Sequence, residues 1–218
     1  MMSERDVEQF NKQAAGYDRS LMGRGFHRPI KEAMARIAAR HAPNARAILD
    51  VGCGPGSVLA LLAARYPAAE LCGVDPAEEM LRVARTRLSG DSRVRLVSAH
   101  AEQLPFADAA FDLVVSSNSF HHWVDQGAGL REIGRVLAPG AWFVMTDAWF
   151  AMGWRRWAAR IRPHGRMRSR SEVEAMLAAT GLELVGWARV KVLGPLTSNF
   201  VVATGPPAQS PPATASRS

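Results

Sequence analysis

The sequence predicts an α/β fold, built on one doubly wound sheet of seven strands that is mostly parallel and ends in an antiparallel strand. Between residues 47 and 147, short apolar runs alternate with helical segments, a pattern typical of a parallel sheet covered on both faces. After residue 183, two apolar runs follow each other with no helix between them, so we expect them to pair as an antiparallel hairpin.

Each element of this pattern has its own signal in the chain. Apolar runs predict five strands, at residues 47–51, 71–75, 94–98, 111–116 and 142–147. Helical periodicity and helix-start residues predict helices at 29–42, 57–66, 76–88 and 130–137. A further helix, 171–180, is predicted to begin at a capping box of Ser171 and Glu174 and to stop at Gly181. Two runs, 184–192 and 200–204, complete the sheet.

The composition indicates a single domain in a reducing compartment. The 218 residues, 48% of them hydrophobic, suffice for one sizeable core. No run reaches the roughly 18 apolar residues that a membrane span needs, and the charged start of the chain is unlike a signal peptide. Cys53 and Cys72 lack metal-ligand spacing, so we expect free thiols, no metal site and a cytoplasmic location. Residues 205–218, rich in Pro, Ala and Ser, are expected to form a disordered tail.

The net charge of +7 comes from one basic segment. Residues 154–170 contain seven arginines and no acid, so the rest of the chain is neutral. This distribution is not that of a uniformly basic nucleic-acid binder, and we expect no nucleic-acid partner. Four large apolar side chains precede or interrupt the arginines, and three interpretations of residues 149–170 stay open. The segment binds an anionic or aromatic small substrate, lies on an anionic membrane surface beside a lipid-like substrate, or is a solvated helix.

A glycine loop follows the first predicted strand. Gly52, Gly54 and Gly56 open the next helix, and absent side chains there let a ligand approach the backbone. The ligand is either the pyrophosphate of a dinucleotide or S-adenosylmethionine. A dinucleotide loop would have Gly or Ala at position 57, which is Ser57. Asp50, two residues before the loop, would repel a pyrophosphate and attract an ammonium or sulfonium, so the sequence favours S-adenosylmethionine.

Five motifs together resemble the class I S-adenosylmethionine-dependent methyltransferases, within them the small-molecule group that includes the ubiquinone/menaquinone-biosynthesis type. They are ILDVGCGPG (48–56), LCGVD (71–75), AEQLPF (101–106), FDLVVSSNSFHHW (111–123) and REIGRVLAPG (131–140). The resemblance implies a Rossmann-like sheet, S-adenosyl-L-methionine as methyl donor and S-adenosyl-L-homocysteine as product. It divides one domain, 1–204, into a lid (1–45), a cofactor-binding core (46–147) and a substrate-side segment with the terminal hairpin (148–204).

The resemblance assigns adenosine contacts to the ends of the second and third strands. Asp75 matches the acid that accepts the ribose hydroxyls, with Pro76 beside it, although Asp75 and Glu78 also form a capping-box pattern. Met80 either packs on the adenine or belongs to the core.

His100 stands where the family commonly has an Asp that receives the adenine amino group. A neutral imidazole can accept that hydrogen bond, whereas a protonated one cannot. The Ala101 amide or the Glu102 carboxylate is the alternative contact.

The end of the fourth strand is expected to face the methyl group. Ser116, Ser117 and Asn118 lie at the carboxyl end of this strand, where open α/β sheets bind ligands. The sequence after it lacks the proline pair that is common in DNA and protein amino-methyltransferases, which favours a small-molecule acceptor. His121 and His122 are candidate general bases, or one of them packs against the sheet.

Three further residues are assigned more loosely. Tyr17 resembles part of the family's N-terminal lid and could present its ring face to the sulfonium, or lie in a surface turn. Cys53 is expected to fill space within the cofactor loop, and Asp147 is a candidate substrate contact.

The predicted activity is methyl transfer from S-adenosylmethionine to O, N or C of a small molecule. Two alternatives stay open: a nicotinamide-dependent oxidoreductase on a similar fold, and a non-catalytic protein that binds S-adenosylmethionine.

Overall fold

The computed structural model of the chain describes residues 4–19, 27–147, 168–193 and 196–205, which contain a seven-stranded sheet. The strands are β1 (Ala47–Val51), β2 (Glu70–Val74), β3 (Val94–Val97), β4 (Phe111–Ser117), β5 (Leu137–Thr146), β6 (Glu183–Leu193) and β7 (Leu196–Thr204). Their order across the sheet is β3-β2-β1-β4-β5-β7-β6.

The predicted fold class is confirmed. Strands β1 to β5 pair in parallel, whereas β7 pairs antiparallel with both β5 and β6. Because β7 inserts between β5 and β6, the last strand in the chain is not the last strand in the sheet. The hairpin was predicted from the two adjacent apolar runs, but its insertion is a tertiary choice that the runs do not encode.

Six α-helices accompany the strands in the described ranges: α1 (Glu4–Gln13), α2 (Arg28–His41), α3 (Ser57–Arg65), α4 (Glu78–Arg87), α5 (Gln126–Val136) and α6 (Arg170–Ala179). Short 3-10 helices occupy Ala14–Arg19 and Phe120–His122. Helix α5 begins four residues earlier than predicted, because the Asp125 side chain caps it by accepting from the Ala128 amide.

Helices cover both faces of the sheet. Residues of α2 and α3 pack on one face, where Ile48 of β1 is fully buried, and residues of α5 and α6 pack on the other, where Leu49 is fully buried. Successive residues of a strand point to opposite faces, so a strand buried on both sides is apolar throughout. Because both faces of the sheet are covered, we expect a ligand site at the carboxyl ends of the strands and in the loops that follow them.

The capping box of α6 was predicted two residues too late. Ser169, not Ser171, is the N-cap: its hydroxyl accepts from the Glu172 amide, and its own amide donates to the Glu172 carboxylate at 2.6 Å. Two overlapping Ser-x-x-Glu patterns occur here, and the earlier one leaves Glu174 to accept hydrogen bonds from Arg170 and Trp187. Both patterns have the same local propensity, so tertiary contacts decide between them.

Some predictions fall outside the described residues. Most of the arginine-rich segment, residues 149–167, lies outside them, and so does the tail from residue 206 onward. Within the described ranges, no helix combines the length and the apolar character that crossing a membrane requires.

Candidate functional site

A cavity lies at the carboxyl ends of β1, β2 and β4, and most of the predicted site residues line it. Twelve of them do: Tyr17, Asp50, Gly52, Cys53, Gly54, Asp75, Pro76, Met80, His100, Ala101, Glu102 and His122. Three do not: Gly56, Ser116 and His121. The wall also contains residues that the sequence analysis did not select, among them Phe10, His27, Lys31, Ser119 and Trp123.

The three loop glycines serve different purposes. All have positive φ, but only Gly54 both lines the cavity and has open space where a Cβ would stand. A Cβ on Gly52 would lie 1.9 Å from the hydroxyl oxygen of Ser119, so that space is already taken by the protein. A Cβ on Gly56 would meet Ala84 at 3.0 Å, so this glycine lets α4 pack against the loop. Space for the close approach of a ligand therefore accounts for Gly54, whereas Gly52 and Gly56 are needed for packing within the protein.

Asp75 fastens the glycine loop to the start of α4. One carboxylate oxygen accepts from the Gly54 amide at 2.9 Å and the other from the Ala77 amide at 2.9 Å. Burial raises the pKa of Asp75 to about 6, and these two hydrogen bonds oppose the increase. The predicted capping box with Glu78 is wrong: Ala77 is the N-cap, without a side-chain bond, because α4 begins only at Glu78.

Asp50 is a buried acid of the cavity wall whose hydrogen-bonding capacity is not fully used. Its side chain is 1% exposed, and one carboxylate oxygen has no hydrogen-bond partner within the described part of the chain. Burial raises the pKa of Asp50 to about 7; the charge of Asp75 adds to this increase and that of Lys31 opposes it. A buried anion without a partner is unfavourable, so the cavity is suited to a ligand that brings a cation to Asp50.

The far wall of the cavity holds His100 and Glu102. Burial lowers the pKa of His100, with the Glu102 carboxylate opposing, so at neutral pH the imidazole can accept a hydrogen bond. One oxygen of Glu102 accepts from the Val124 amide at 2.9 Å and the Asp125 amide at 3.3 Å. Glu102 therefore ties this wall to the loop that precedes α5.

Ser116 is fully buried and does not line the cavity, which corrects the prediction for this residue. Ser117 and Asn118, predicted together with it at the end of β4, do line the cavity, as does Ser119. Asn118 has φ +54°, a conformation that non-glycine residues seldom adopt and that is common at functional sites. The prediction was shifted because the chain leaves the sheet at Ser117, one residue beyond the predicted end of the strand.

The two histidines are placed differently. His122 lines the cavity, whereas His121 is buried behind it, with the two ring centroids 3.9 Å apart. The backbone amide and Nδ1 of His121 both contact one carboxylate oxygen of Asp147, at 2.9 and 2.7 Å. A carboxylate only accepts, so Nδ1 carries the hydrogen and the ring orientation is fixed. Asp147, predicted to touch substrate, instead stands behind His121 and outside the cavity wall.

The N-terminal part of the chain closes the cavity. Phe10 meets the His122 ring edge-on, with centroids 4.9 Å apart, and Tyr17 lies 5.8 Å from the His27 ring. Helix α1 is held in place by a hydrogen bond from the Glu79 amide to Asn11, which is 68 residues away in sequence. The lid role of residues 1–45 stays a prediction.

Two of the missed cavity residues, at the start of α2, could have been predicted from their spacing in the sequence. His27 and Lys31 are four residues apart, so they share one face of the helix start. Phe10 carried no such signal, because α1 is polar apart from Val7 and Phe10.

Comparison with known proteins places this arrangement in context. Residues 49–145 match a family model described as a methyltransferase domain. The chain is 31% identical over 217 residues to a ubiquinone/menaquinone biosynthesis C-methyltransferase of Rubrivivax gelatinosus, covering 85% of this chain and 84% of that protein. It is 33% identical over 151 residues to the protein of the same name from Geotalea daltonii, covering 66% of this chain and only 63% of the relative's length.

A solved structure shows the same fold. A chain of the Haloferax volcanii complex between the Trm112 methyltransferase activator and a methyltransferase superposes with a TM-score of 0.76 at 21% identity. The match covers 91% of this chain and 98% of that one, so the seven-stranded architecture is shared almost from end to end.

Proposed function

This chain belongs to the class I S-adenosylmethionine-dependent methyltransferases, and on that premise we propose that it transfers a methyl group from S-adenosylmethionine to O, N or C of a small organic molecule. The observation that carries the proposal is Asp50: a buried carboxylate with an oxygen that finds no partner among the described residues, in the wall of the cavity. A cationic ligand would satisfy it, and the proposed cofactor carries both an ammonium and a sulfonium.

The residues of the cavity fit this cofactor part by part. Asp50 would bind the ammonium of the methionine moiety, and Gly54 lets the ligand approach the loop. Each oxygen of Asp75 already accepts one backbone hydrogen bond and retains accepting capacity for a ribose hydroxyl. His100 would accept from the adenine amino group. Met80, 2% exposed, would offer its thioether side chain to the adenine ring.

When bound, the cofactor supplies a methyl group already activated by its sulfonium. The chain's own contribution is then to align the acceptor and to exclude water. Phe10 and Tyr17 of the lid and Trp123 of the opposite wall provide apolar surface for both tasks. An acceptor of aromatic, anionic or lipid-like character is what the composition of residues 149–170 supports.

We assign the role of general base to His122 and a positioning role to His121. Of the two, His122 alone is in the cavity wall, so it alone can reach a proton of the acceptor. His121, fixed by Asp147, packs its ring against that of His122 and restricts the orientation of the base. Both histidines were candidates from the sequence, and the position of His122 in the cavity wall is what supports choosing it as the base.

The two alternative functions differ from the proposed one, the first in the ligand that binds and the second in the absence of catalytic turnover. A nicotinamide dinucleotide would bring a pyrophosphate to a loop flanked by Asp50 and Asp75, and like charges disfavour that arrangement. A non-catalytic protein would bind S-adenosylmethionine without releasing product. The buried cysteines Cys53 and Cys72, which form no disulfide, support the proposed cytoplasmic location.

Calorimetry with S-adenosylhomocysteine and with NAD tests the proposal. We expect S-adenosylhomocysteine to bind the wild-type chain with a Kd well below that for NAD, and Asp50→Asn to weaken this binding. A preference for NAD would overturn the proposal. A screen of quinols, phenols, amines and lipids, scored by S-adenosylhomocysteine release, then separates an enzyme from a binding protein.

A further inference from the structure

Ser119 is a cavity residue to which the proposed function has given no role. It follows Asn118, the residue with φ +54°, and precedes the short 3-10 helix Phe120–His122. Its hydroxyl oxygen lies against Gly52 of the cofactor loop, so closely that a Cβ on this glycine would be 1.9 Å away. Ser119, Gly52 and His122 all line the cavity. The Ser119 side chain is therefore next to the cofactor loop and within one short turn of the proposed base.

The Trp123 indole determines how the Ser119 hydroxyl can act. Trp123 Nε1 donates to Ser119 Oγ at 2.9 Å. An indole nitrogen only donates, so Ser119 is the acceptor in this bond and its own hydrogen is directed elsewhere. That hydrogen finds no acceptor in the part of the chain that the structure describes. It can therefore be donated to a molecule in the cavity.

Packing holds the indole in place. Trp123 is buried, and its ring meets the Phe120 ring in a T-shaped contact with centroids 5.2 Å apart. Gly129 of α5 leaves the space that the indole fills, because a Cβ there would be 2.5 Å from Cε3 of Trp123. The indole cannot turn away from Ser119 without disturbing these contacts. The hydroxyl is thus oriented before any ligand binds, which lowers the cost of using it in recognition.

We propose that Ser119 donates a hydrogen bond to an oxygen of the methyl acceptor and so makes the site select a hydroxyl compound over the corresponding amine. This inference rests on the proposed function and narrows its acceptor to a molecule with an oxygen at the reacting end. The His122 amide donates to the Ser119 carbonyl at 2.9 Å, so an acceptor oxygen that reaches the base also comes close to the Ser119 hydroxyl. An aromatic amine accepts poorly, because its lone pair is delocalised into the ring, and it would leave the Ser119 hydrogen unpaired.

The test compares two aromatic ligands that differ only in this group, since Phe10, Tyr17 and Trp123 give the cavity aromatic walls. The ligands are α-naphthol and α-naphthylamine, both uncharged at neutral pH, and their binding to the chain saturated with S-adenosylhomocysteine is measured by equilibrium dialysis. The wild type should prefer α-naphthol by about 10-fold, because the amine leaves a donor unpaired. In Ser119→Ala the preference should fall to within about twofold, while the Kd for S-adenosylhomocysteine changes by less than about twofold.

Three further variants make the comparison specific. Ser119→Thr keeps the hydroxyl and should retain the preference. Trp123→Phe keeps an aromatic ring but removes the indole donor, so the hydroxyl loses its fixed orientation and the preference should decrease by a smaller factor than in Ser119→Ala. Ser89→Ala removes an exposed serine outside the cavity wall and should leave the preference unchanged. Urea unfolding of each variant verifies that a lost preference is not a loss of folding.

The outcomes separate this inference from the proposed function. A wild type without a preference for α-naphthol, or an unchanged preference in Ser119→Ala, would overturn the inference while leaving the function intact. If Ser119→Ala loses affinity for S-adenosylhomocysteine and keeps the preference, the hydroxyl serves the cofactor and the inference is again overturned. A wild type that does not bind S-adenosylhomocysteine would overturn the proposed function and the inference together.

Discussion

Replacing Asp50 by Asn should stabilise the ligand-free protein at alkaline pH while weakening its affinity for S-adenosylhomocysteine. In the folded chain, burial and the nearby charge of Asp75 raise the pKa of Asp50 from 3.8 to about 7. A difference of about three pH units between the folded and unfolded states corresponds to about 4 kcal/mol. This is an upper limit, since the folded protein can relax around an ionised group, and a gain of about 2 kcal/mol is a realistic expectation.

The sign of the effect depends on pH. Below about pH 4, Asp50 is protonated in both states, so wild type and Asp50→Asn should have the same free energy of unfolding at this position. Between pH 4 and 7 the unfolded chain releases the proton while the folded chain keeps it, and the wild type loses stability as the pH rises. Above pH 7 the folded carboxylate is ionised too, and the full difference is present.

Urea denaturation of the ligand-free proteins, followed by tryptophan fluorescence at several pH values from 5 to 8, measures this difference. The gap between variant and wild type should widen with pH over that range. Asp91→Asn is a matched control, because Arg93 holds the pKa of Asp91 below its usual range and its removal should not stabilise the protein at any pH. If Asp50→Asn is no more stable than the wild type at pH 8, the ionised Asp50 carboxylate does not destabilise the ligand-free protein, and the reasoning is refuted.

Three other substitutions test the site. Asp75→Ala should weaken binding of S-adenosylhomocysteine by about 1–3 kcal/mol in calorimetry, because charge-assisted hydrogen bonds to the ribose are lost; unchanged affinity would remove Asp75 from the site. His122→Gln should lower kcat by about 10²- to 10⁴-fold once an acceptor is known, while His121→Gln should shift the pH profile of the rate with a smaller loss; the reverse order would make His121 the base. Both Gly52→Ala and Gly54→Ala place an alanine at positive φ, which should lower the free energy of unfolding by about 1–2 kcal/mol. Gly52→Ala should lower it further, since its methyl collides with Ser119, whereas Gly54→Ala should have the larger effect on ligand binding. Urea unfolding and calorimetry together measure that contrast, and equal effects of the two glycines on binding would contradict it.

The sequence was sufficient for the sheet and for the centre of the site, for a physical reason. Strands buried on both faces are apolar throughout, and the residues that follow them must lie at one edge of a parallel sheet. Asp50 lies near the carboxyl end of β1, and Gly54 and Asp75 follow β1 and β2, so their proximity could be predicted without knowing any distance.

The residues that sequence reasoning missed are those brought in by tertiary contacts. Phe10 reaches the cavity because α1 packs on α4, through contacts between residues more than 60 positions apart that no local pattern encodes. Ser116 was included in error because one residue decides which side of a strand end faces a site, and strand ends are predictable only to within that margin. His121 and His122 are equivalent as neighbours in sequence, and only tertiary structure distinguishes them: His121 is bonded to Asp147, and His122 lines the cavity.

The glycine loop and Asp50 contribute to ligand binding in different ways. The loop is held without a ligand, because the Gly52 and Cys53 amides both donate to the Val74 carbonyl, at 2.8 and 3.0 Å, and Asp75 holds the Gly54 amide. A ligand therefore need not order the loop, which lowers the entropic cost of binding. The Asp50 carboxylate, by contrast, has an oxygen without a partner among the described residues, and a cationic ligand would stabilise its ionised form. The glycines therefore determine the shape of the loop, and Asp50 determines which charge the ligand must carry.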